Sequence, residues 1–319
     1  MANLNVAVIG PNDFAKDLGK KGTVSDITLY DLKQGADTVT FIEPTKYPDR
    51  LAPLFYAASL ADRALIVVDA INAQLGECIV MLQCAGVRDG HIVLRNYLAQ
   101  EQLAPLIKGT VLEGYRYVDE DKAALREMLL EEARSRPSAK ELGKGAVPID
   151  HFFNVKGVGT VVLGCVAYGR IEKHDELKVL PTARTALVRS IQKHDDDFSD
   201  AVHGDRVGLA LKNIDVEQLD RGYVLTADER VKSDSAITAE AELVSYWKTP
   251  LKQGMVLHLG HWMQFVAARV ESVDDSGDPR RPTVTLSLDK PVVHPPGSRA
   301  VLMYLEGGKL RVAGSMALP

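Results

Sequence analysis

Cysteine is scarce in this chain, with Cys78, Cys84 and Cys165 the only three among 319 residues. The number is odd and no pair has ligand-like spacing. A disulfide framework and a metal site are therefore not expected, and buried reduced thiols are. Long apolar runs are missing as well. None approaches the ~18 residues of a membrane span. The opening residues MANLNVAVIG carry no charged n-region or cleavage site, so no signal peptide is expected and a cytoplasmic protein is. Positive charge is in deficit, with a net charge of −5. That argues against gross nucleic-acid affinity through the whole field, and against DNA as a partner.

What remains is ordinary for a globular protein: 46% apolar and 25% charged residues, in a chain long enough for two or three domains. The charge is uneven. Residues 1–143 hold 16 Lys and Arg against 20 Asp and Glu, whereas 280–319 hold six (Arg280, Arg281, Lys290, Arg299, Lys309, Arg311) against two. A local basic patch near the C-terminus follows, which a solvated surface would also explain.

Strands and helices alternate over the first 143 residues. LNVAVIG (4–10) reads as a buried strand ending in glycine and is followed by a short, weakly helical segment. Ile27–Leu32 and Thr38–Pro44 form a hairpin around Gly35. Pro53–Asp62 reads helical, ALIVVD (64–69) as a buried parallel strand, and Glu77–Cys84 as helix. His91–Leu94 continues as strand, Tyr97–Ile107 as helix and Thr110–Tyr115 as a last strand. Asp119 then caps a helix carrying Leu125, Met128, Leu129 and Ala133 at helical spacing, stopped by Pro137. This alternation predicts a doubly wound α/β domain. SAKELGKG (138–145) reads as a polar linker, and beyond it strand and turn signals run to the end. A break near 231–235 divides that half into two barrels, giving expected domains of 1–143, 144–232 and 233–319.

The most informative stretch is Pro148–Pro181, PIDHFFNVKGVGTVVLGCVAYGRIEKHDELKVLP. Its strand runs are separated by a turn at Gly157 and Gly159, and a second turn follows at Gly169. The pattern Ile-x-x-x-Phe-x-Val-x-Gly-x-Gly-Thr-Val-Val-x-Gly-x-Val-x-x-Gly-x-Ile resembles the opening of the second domain of the EF-Tu and SelB translation elongation factors. The likeness runs nearly without gaps to RGYVLTAD, at about Asp228. The tail KPVVHPPGSRAVLMYLEGGKLRVAGSM (290–316) is similar to the third domain of the SelB branch. The resemblance implies an N-terminal P-loop-GTPase-like α/β domain followed by two β-barrels, in a cytoplasmic monomer that works with aminoacyl-tRNA and the ribosome.

It also implies a nucleotide site, and here the sequence departs from the pattern. The phosphate loop reads Gly10, Pro11, Asn12, Asp13, Phe14, Ala15, Lys16, Asp17. The first glycine and the lysine are in register, Ala15 replaces the second glycine, and Asp17 replaces the Mg²⁺-holding Ser/Thr. A positive φ at Ala15 would cost roughly 1–2 kcal/mol. Only 27 positions separate Lys16 from Glu43, too few for a full first helix and a switch loop. The Asp-x-x-Gly element appears as Glu43, Pro44, Thr45, Lys46, with Tyr47 where the family has its catalytic His. The guanine-reading element appears as Arg95, Asn96, Tyr97, Leu98, or one residue later ending at Ala99, and neither frame supplies its carboxylate. Gly10, Lys16 and Asp17 are left as a weak phosphate and Mg²⁺ site, GTP with Mg²⁺ is the only cofactor in view, and no catalytic residue is expected.

In the family the second barrel holds the aminoacyl end. By position this assigns a pocket to Asp150, His151, Phe153, Gln192, His194, Asp195 and Arg206, with Phe153 stacking on adenine. Phe153 could equally be core, and the aspartates after His194 a solvated loop. The tRNA backbone would fall to Arg280, Arg281, Lys309 and Arg311. The reading is a SelB/EF-Tu-like elongation factor binding an aminoacyl-tRNA, with GTP binding and hydrolysis weak or lost. Its rivals are a working GTPase with non-standard nucleotide recognition and a protein-partner scaffold of initiation-factor type.

Overall fold

The computed structural model describes residues 2–136 and 143–319, and the expected linker lies outside those residues from 138 to 142. The chain begins with Asn3–Ile9 (β1), Lys20–Val24 (β2), Thr28–Gln34 (β3) and Asp37–Glu43 (β4). Then come Ala52–Leu60 (α1), Arg63–Val68 (β5), Ala73–Ala85 (α2), Gly90–Leu94 (β6), Gln100–Ile107 (α3), Arg116–Tyr117 (β7) and Lys122–Ser135 (α4). The seven strands form one sheet in the order β2-β3-β4-β1-β5-β6-β7. From β4 to β7 the neighbours are parallel, while β3 and β2 add an antiparallel margin. Alternate residues serve opposite faces. Ala7, Ile9, Ala64, Ile66 and Val68 pack with α1, α2 and α3, whereas Leu4, Val6, Val8, Leu65 and Val67 pack with α4. The sheet is thus covered on both sides, which is why its central strands carry near-continuous apolar runs.

Three local expectations are corrected. The weakly helical segment after Gly10 is only a three-residue 3-10 turn, Ala15–Asp17, and the chain then enters the unforeseen edge strand β2. Lys20 and Lys21 on that strand protect an exposed edge from pairing with another chain. Thr110–Tyr115 is not a strand. The Thr110 hydroxyl accepts from the Leu112 N–H at 3.2 Å and turns Val111–Gly114 into a 3-10 helix, leaving β7 two residues long. Asp121, rather than Asp119, caps α4, its Oδ1 accepting from the N–H groups of Ala123 and Ala124 at 2.9 and 3.1 Å.

The middle barrel is built from Ala146–Val155 (β8), Gly159–Cys165 (β9), Arg170–Glu172 (β10), Glu176–Leu180 (β11), Arg184–Lys193 (β12), Asp196–Phe198 (β13), Asp200–Val202 (β14), Arg206–Lys212 (β15) and Val224–Thr226 (β16). Six strands, β11-β16-β8-β9-β15-β12, close on themselves through the β11–β12 pairing. β13 extends β12 as a flap, and β10 with β14 forms a separate ribbon. The C-terminal barrel, closed in the order β17-β20-β19-β18-β21-β22, comprises Lys232–Leu243 (β17), Val256–His261 (β18), Gln264–Asp274 (β19), Thr283–His294 (β20), Arg299–Met303 (β21) and Val312–Ala317 (β22). Each barrel has its own apolar interior. Closure removes the sheet edges that antiparallel strands would otherwise expose. Among the described residues no helix is long and apolar enough to cross a membrane.

Candidate functional site: a cleft between the α/β domain and the middle barrel

The β2–β3 hairpin faces the middle barrel across a cleft of about 850 Å³. Its barrel wall comes from β8 (Phe153), β9 (Leu163), the end of β12 (Gln192), the β12–β13 turn (His194, Asp195) and β15 (Arg206, Val207). Phe153 lies one residue beyond Phe152 on β8, and the alternation of a strand sends the two rings to opposite faces. Phe152 packs on the barrel core, whereas Phe153 remains 42% exposed and lines the cleft.

His194 and Asp195 form a two-residue hairpin turn with φ of +50° and +70°. A primed turn requires positive φ at both central positions, and Asn-Gly would be the relaxed choice. The His194 side chain is largely buried, with Nδ1 3.4 Å from Asp31 Oδ1 on β3. Burial lowers its pKa, with the Asp31 carboxylate opposing. Gln192 donates to Asp197 Oδ1 at 3.0 Å.

Asp150 and His151 stand apart from this wall. Asp150 is fully buried, receives both guanidinium arms of Arg206, and lies 2.6 Å from His151 Nδ1. Burial opposes its ionisation, but the Arg206 charge and these hydrogen bonds outweigh burial and hold its pKa low. Arg206 therefore reaches the cleft as the outer half of a buried ion pair. Asp150 and His151 orient it and do not line the space themselves.

The α/β wall was not foreseen. It is formed by Lys16 and Asp17 together with Lys20, Lys21, Thr23, Asp31, Lys33 and Arg126. The only sequence signal is the Lys20-Lys21 pair between Gly19 and Gly22, in a stretch for which the sequence pattern predicts no strand. Lys33 reaches across to Asp196 of β13 and ties the two walls at the mouth.

The phosphate-loop residues part company. Gly10 has φ of +152°, and a Cβ there would stand 2.6 Å from the Val67 carbonyl oxygen, so glycine lets the loop press on β5. Ala15 carries no positive-φ strain, because the left-handed residue is Asp13, at +64°. The N–H groups of Asp13 and Ala15 both donate to the buried carboxylate of Glu43, at 3.2 and 2.6 Å. Neither is free for a phosphate. Lys16 and Asp17 face the cleft, not this loop. Where a guanine would be read, Arg95 pairs with Glu120, Asn96 and Tyr97 are both left-handed, and the Tyr97 ring is fully exposed. Among the described residues no group of three or more His, Cys, Asp or Glu could hold a metal ion.

Residues 159–226 match the sequence family described as Elongation factor Tu domain 2. An uncharacterized protein of Methanocaldococcus jannaschii is 37% identical over 316 residues, covering 98% of this chain and 99% of that one. The selenocysteine-specific elongation factor of the same organism is 26% identical over 84% of this chain. The chain spans 62% of that relative's length. The crystal structure of translation elongation factor SelB from Methanococcus maripaludis, in complex with the GTP analogue GPPNHP, superposes with a TM-score of 0.84 at 24% identity. That match covers 100% of this chain and 79% of SelB, and it shows a common fold.

The chain belongs to the EF-Tu/SelB-like elongation-factor family.

Within this family member, the four basic residues expected along a tRNA backbone do not form one surface. Arg280, Arg281 and Lys309 are exposed, and Arg281 lies 3.4 Å from Glu240. Arg311 is turned inward. Its Nη2 and Nε donate to Glu77 of α2 at 2.6 and 3.0 Å, its backbone N–H donates to the same carboxylate at 2.8 Å, and Nη2 also reaches the Pro48 carbonyl. Glu77 is only 3% exposed, so Arg311 is committed to the seam between the α/β domain and the C-terminal barrel.

Proposed function

We propose that this elongation-factor relative binds an aminoacyl-tRNA through the cleft between the β2–β3 hairpin and the middle barrel, with nucleotide binding weak or lost. The observation that carries the reading is the cleft's two-sided chemistry. One wall offers an exposed aromatic, Phe153, beside Gln192, His194 and Arg206, and the other offers Lys16, Lys20, Lys21 and Arg126. A terminal adenosine needs a ring to stack on, and a phosphodiester chain needs cations along its path. A space of about 850 Å³ accommodates a nucleoside with its attached amino acid. The relatives named as selenocysteine-specific elongation factors support a specialised aminoacyl-tRNA as cargo and the ribosome as the place of delivery.

Three features favour the loss of nucleotide chemistry. The loop N–H groups are taken by Glu43, Lys16 points to the cleft, and the run Arg95 to Leu98 lacks the carboxylate of the guanine-reading element. The residues present do not fit a bound GTP with Mg²⁺.

The test compares aminoacylated with deacylated tRNA in nucleotide-free buffer, for wild type and Phe153→Ala. The aminoacylated form should bind more tightly, and the substitution should cost ~1–3 kcal/mol of that affinity, as for other aromatic–base stacks. Equal affinity for both forms, unchanged in the variant, would remove the aminoacyl pocket and favour a protein-partner scaffold.

A further inference from the structure

The loop after β1 converges on one side chain. Glu43 ends β4, is 3% exposed, and accepts from Ala15 N–H through Oε1 at 2.6 Å and from Asp13 N–H through Oε2 at 3.2 Å. The surrounding chain is shaped to make this contact. Asp13 adopts a left-handed φ, Gly10 packs directly on Val67 of β5, and the Tyr30 hydroxyl of β3 donates to Asp13 Oδ1 at 3.2 Å. Backbone N–H groups gathered around an anion, in the loop that follows the first strand of a doubly wound sheet, are the usual means of holding a phosphate. Here the anion is built in. Burial pushes the Glu43 carboxyl above its usual range, the neighbouring Asp13 charge adding to the push, and the two N–H donors oppose it. Such a carboxylate sits in the interior only because the loop receives it.

We propose that Glu43 is the resident anion of this loop, holding the two donors that a nucleotide's phosphates would need. In doing so it fixes the loop so that Lys16 and Asp17 turn toward the cleft. Glu43 is a positioning residue, and the position matches the family's Asp-x-x-Gly aspartate with one methylene added. That methylene supplies the reach: an aspartate at the end of β4 would stop short of both amides. The inference rests on the nucleotide half of the proposed function and gives that half a cause.

The experiment titrates full-length wild type, Glu43→Ala and Glu43→Asp with inorganic pyrophosphate and with Mg²⁺-GTP by calorimetry. It also follows amide exchange at Asp13 and Ala15. Wild type should bind pyrophosphate only weakly and show slow exchange at both amides. Both variants should exchange faster there, and Glu43→Ala should bind pyrophosphate at least about tenfold more tightly than wild type, with exchange slowing again when the anion is added. A purely structural role for Glu43 would produce the faster exchange without the gain in binding. A folded Glu43→Ala with no gain overturns the proposal. Should Glu43→Ala not fold, Glu43→Asp carries the same test, and rapid exchange of the two amides in wild type overturns the proposal without any variant. Tight GTP binding by wild type would sink the proposed function as well. A missing gain in Glu43→Ala, with wild type still blind to GTP, sinks the role of Glu43 alone.

Discussion

Against the middle barrel the α/β domain presents side chains across solvent, whereas against the C-terminal barrel it shares a core. The first seam is polar: Asn3 Nδ2 donates to Asp205 Oδ1 at 2.7 Å, Asn5 Nδ2 to the Gly204 carbonyl at 3.0 Å, and Arg221 to Asp26 at 2.7 Å. Arg221 also lies over the Tyr56 ring at 4.4 Å, and on the β2–β3 side the seam opens into the cleft. In the second seam Met263, Val301, Met303 and Val312 of the barrel join α1 and α2 in a single apolar cluster. A Cβ on Gly260 would meet the Phe55 ring at 2.6 Å, so the barrel backbone lies directly on helix α1. Interiors packed at crystal density do not slide without opening voids, while a wet polar seam can widen as water replaces its contacts. The α/β domain and the C-terminal barrel are thus built to behave as one body, with any adjustment to a ligand falling on the cleft side.

The largest effect should come from breaking the dry seam. Phe55 is 1% exposed and packs on Phe265 at a ring separation of 6.2 Å. Phe55→Ala should destabilise by ~3–5 kcal/mol, the usual range for removing a buried aromatic. Phe153→Ala, an aromatic truncation on the wet side, should stay within about 0.5 kcal/mol because its ring is already half in water. Urea midpoints of the two variants measure the contrast directly. Equal losses would mean that the cleft wall is packed as tightly as the helix seam.

A charged pair tests the same seam with a smaller expected cost. Arg311→Met strands the Glu77 carboxylate in a buried site, which should cost about 3 kcal/mol. Adding Glu77→Leu should recover most of that loss, since the pair can be replaced by apolar groups of similar volume. Lys309→Ala, two residues away and exposed, should be near neutral. Thermal unfolding of the three variants would decide it. An Arg311→Met protein of wild-type stability would release that guanidinium from the seam.

These examples show why some of the molecule was legible in the sequence and some was not. The apolar runs of β1 and β5, the helical spacing of Leu125 and Leu129, and the turn glycines of the middle barrel are local signals, and each element stands where its pattern predicts it. The resemblance at Pro148–Asp228 supplied the barrel order that no periodicity carries. Contacts between distant residues left no such trace. Arg311 and Glu77 are 234 positions apart, and nothing near either one distinguishes a seam residue from a surface cation. Glu43 read as a damaged motif, because its reach to Asp13 and Ala15 depends on a loop conformation with positive φ at Asp13. β2 was missed for a similar reason: an exposed edge strand needs no apolar alternation, so Lys20-Lys21-Gly22-Thr23 looks like coil.

The smallest effect belongs to the pair that spans the cleft mouth. Lys33 on β3 and Asp196 on β13 are bonded across the wet seam, with side chains 33% and 60% exposed. The long lysine and the hydrated aspartate give up freedom to meet, and water screens what they gain. Exposed pairs of this kind contribute ~0–1 kcal/mol. Lys33→Ala should therefore lower stability by no more than about 1 kcal/mol, and the difference should fade as added salt shortens the screening length to roughly 3 Å at 1 M. Unfolding of wild type and Lys33→Ala at low and high salt would measure both quantities. A salt-independent loss above about 2 kcal/mol, approaching the cost of a broken buried pair, would mean that Lys33 clamps the cleft shut. In that case the two seams would be equally rigid, and a ligand would have to enter a preformed space, not open one.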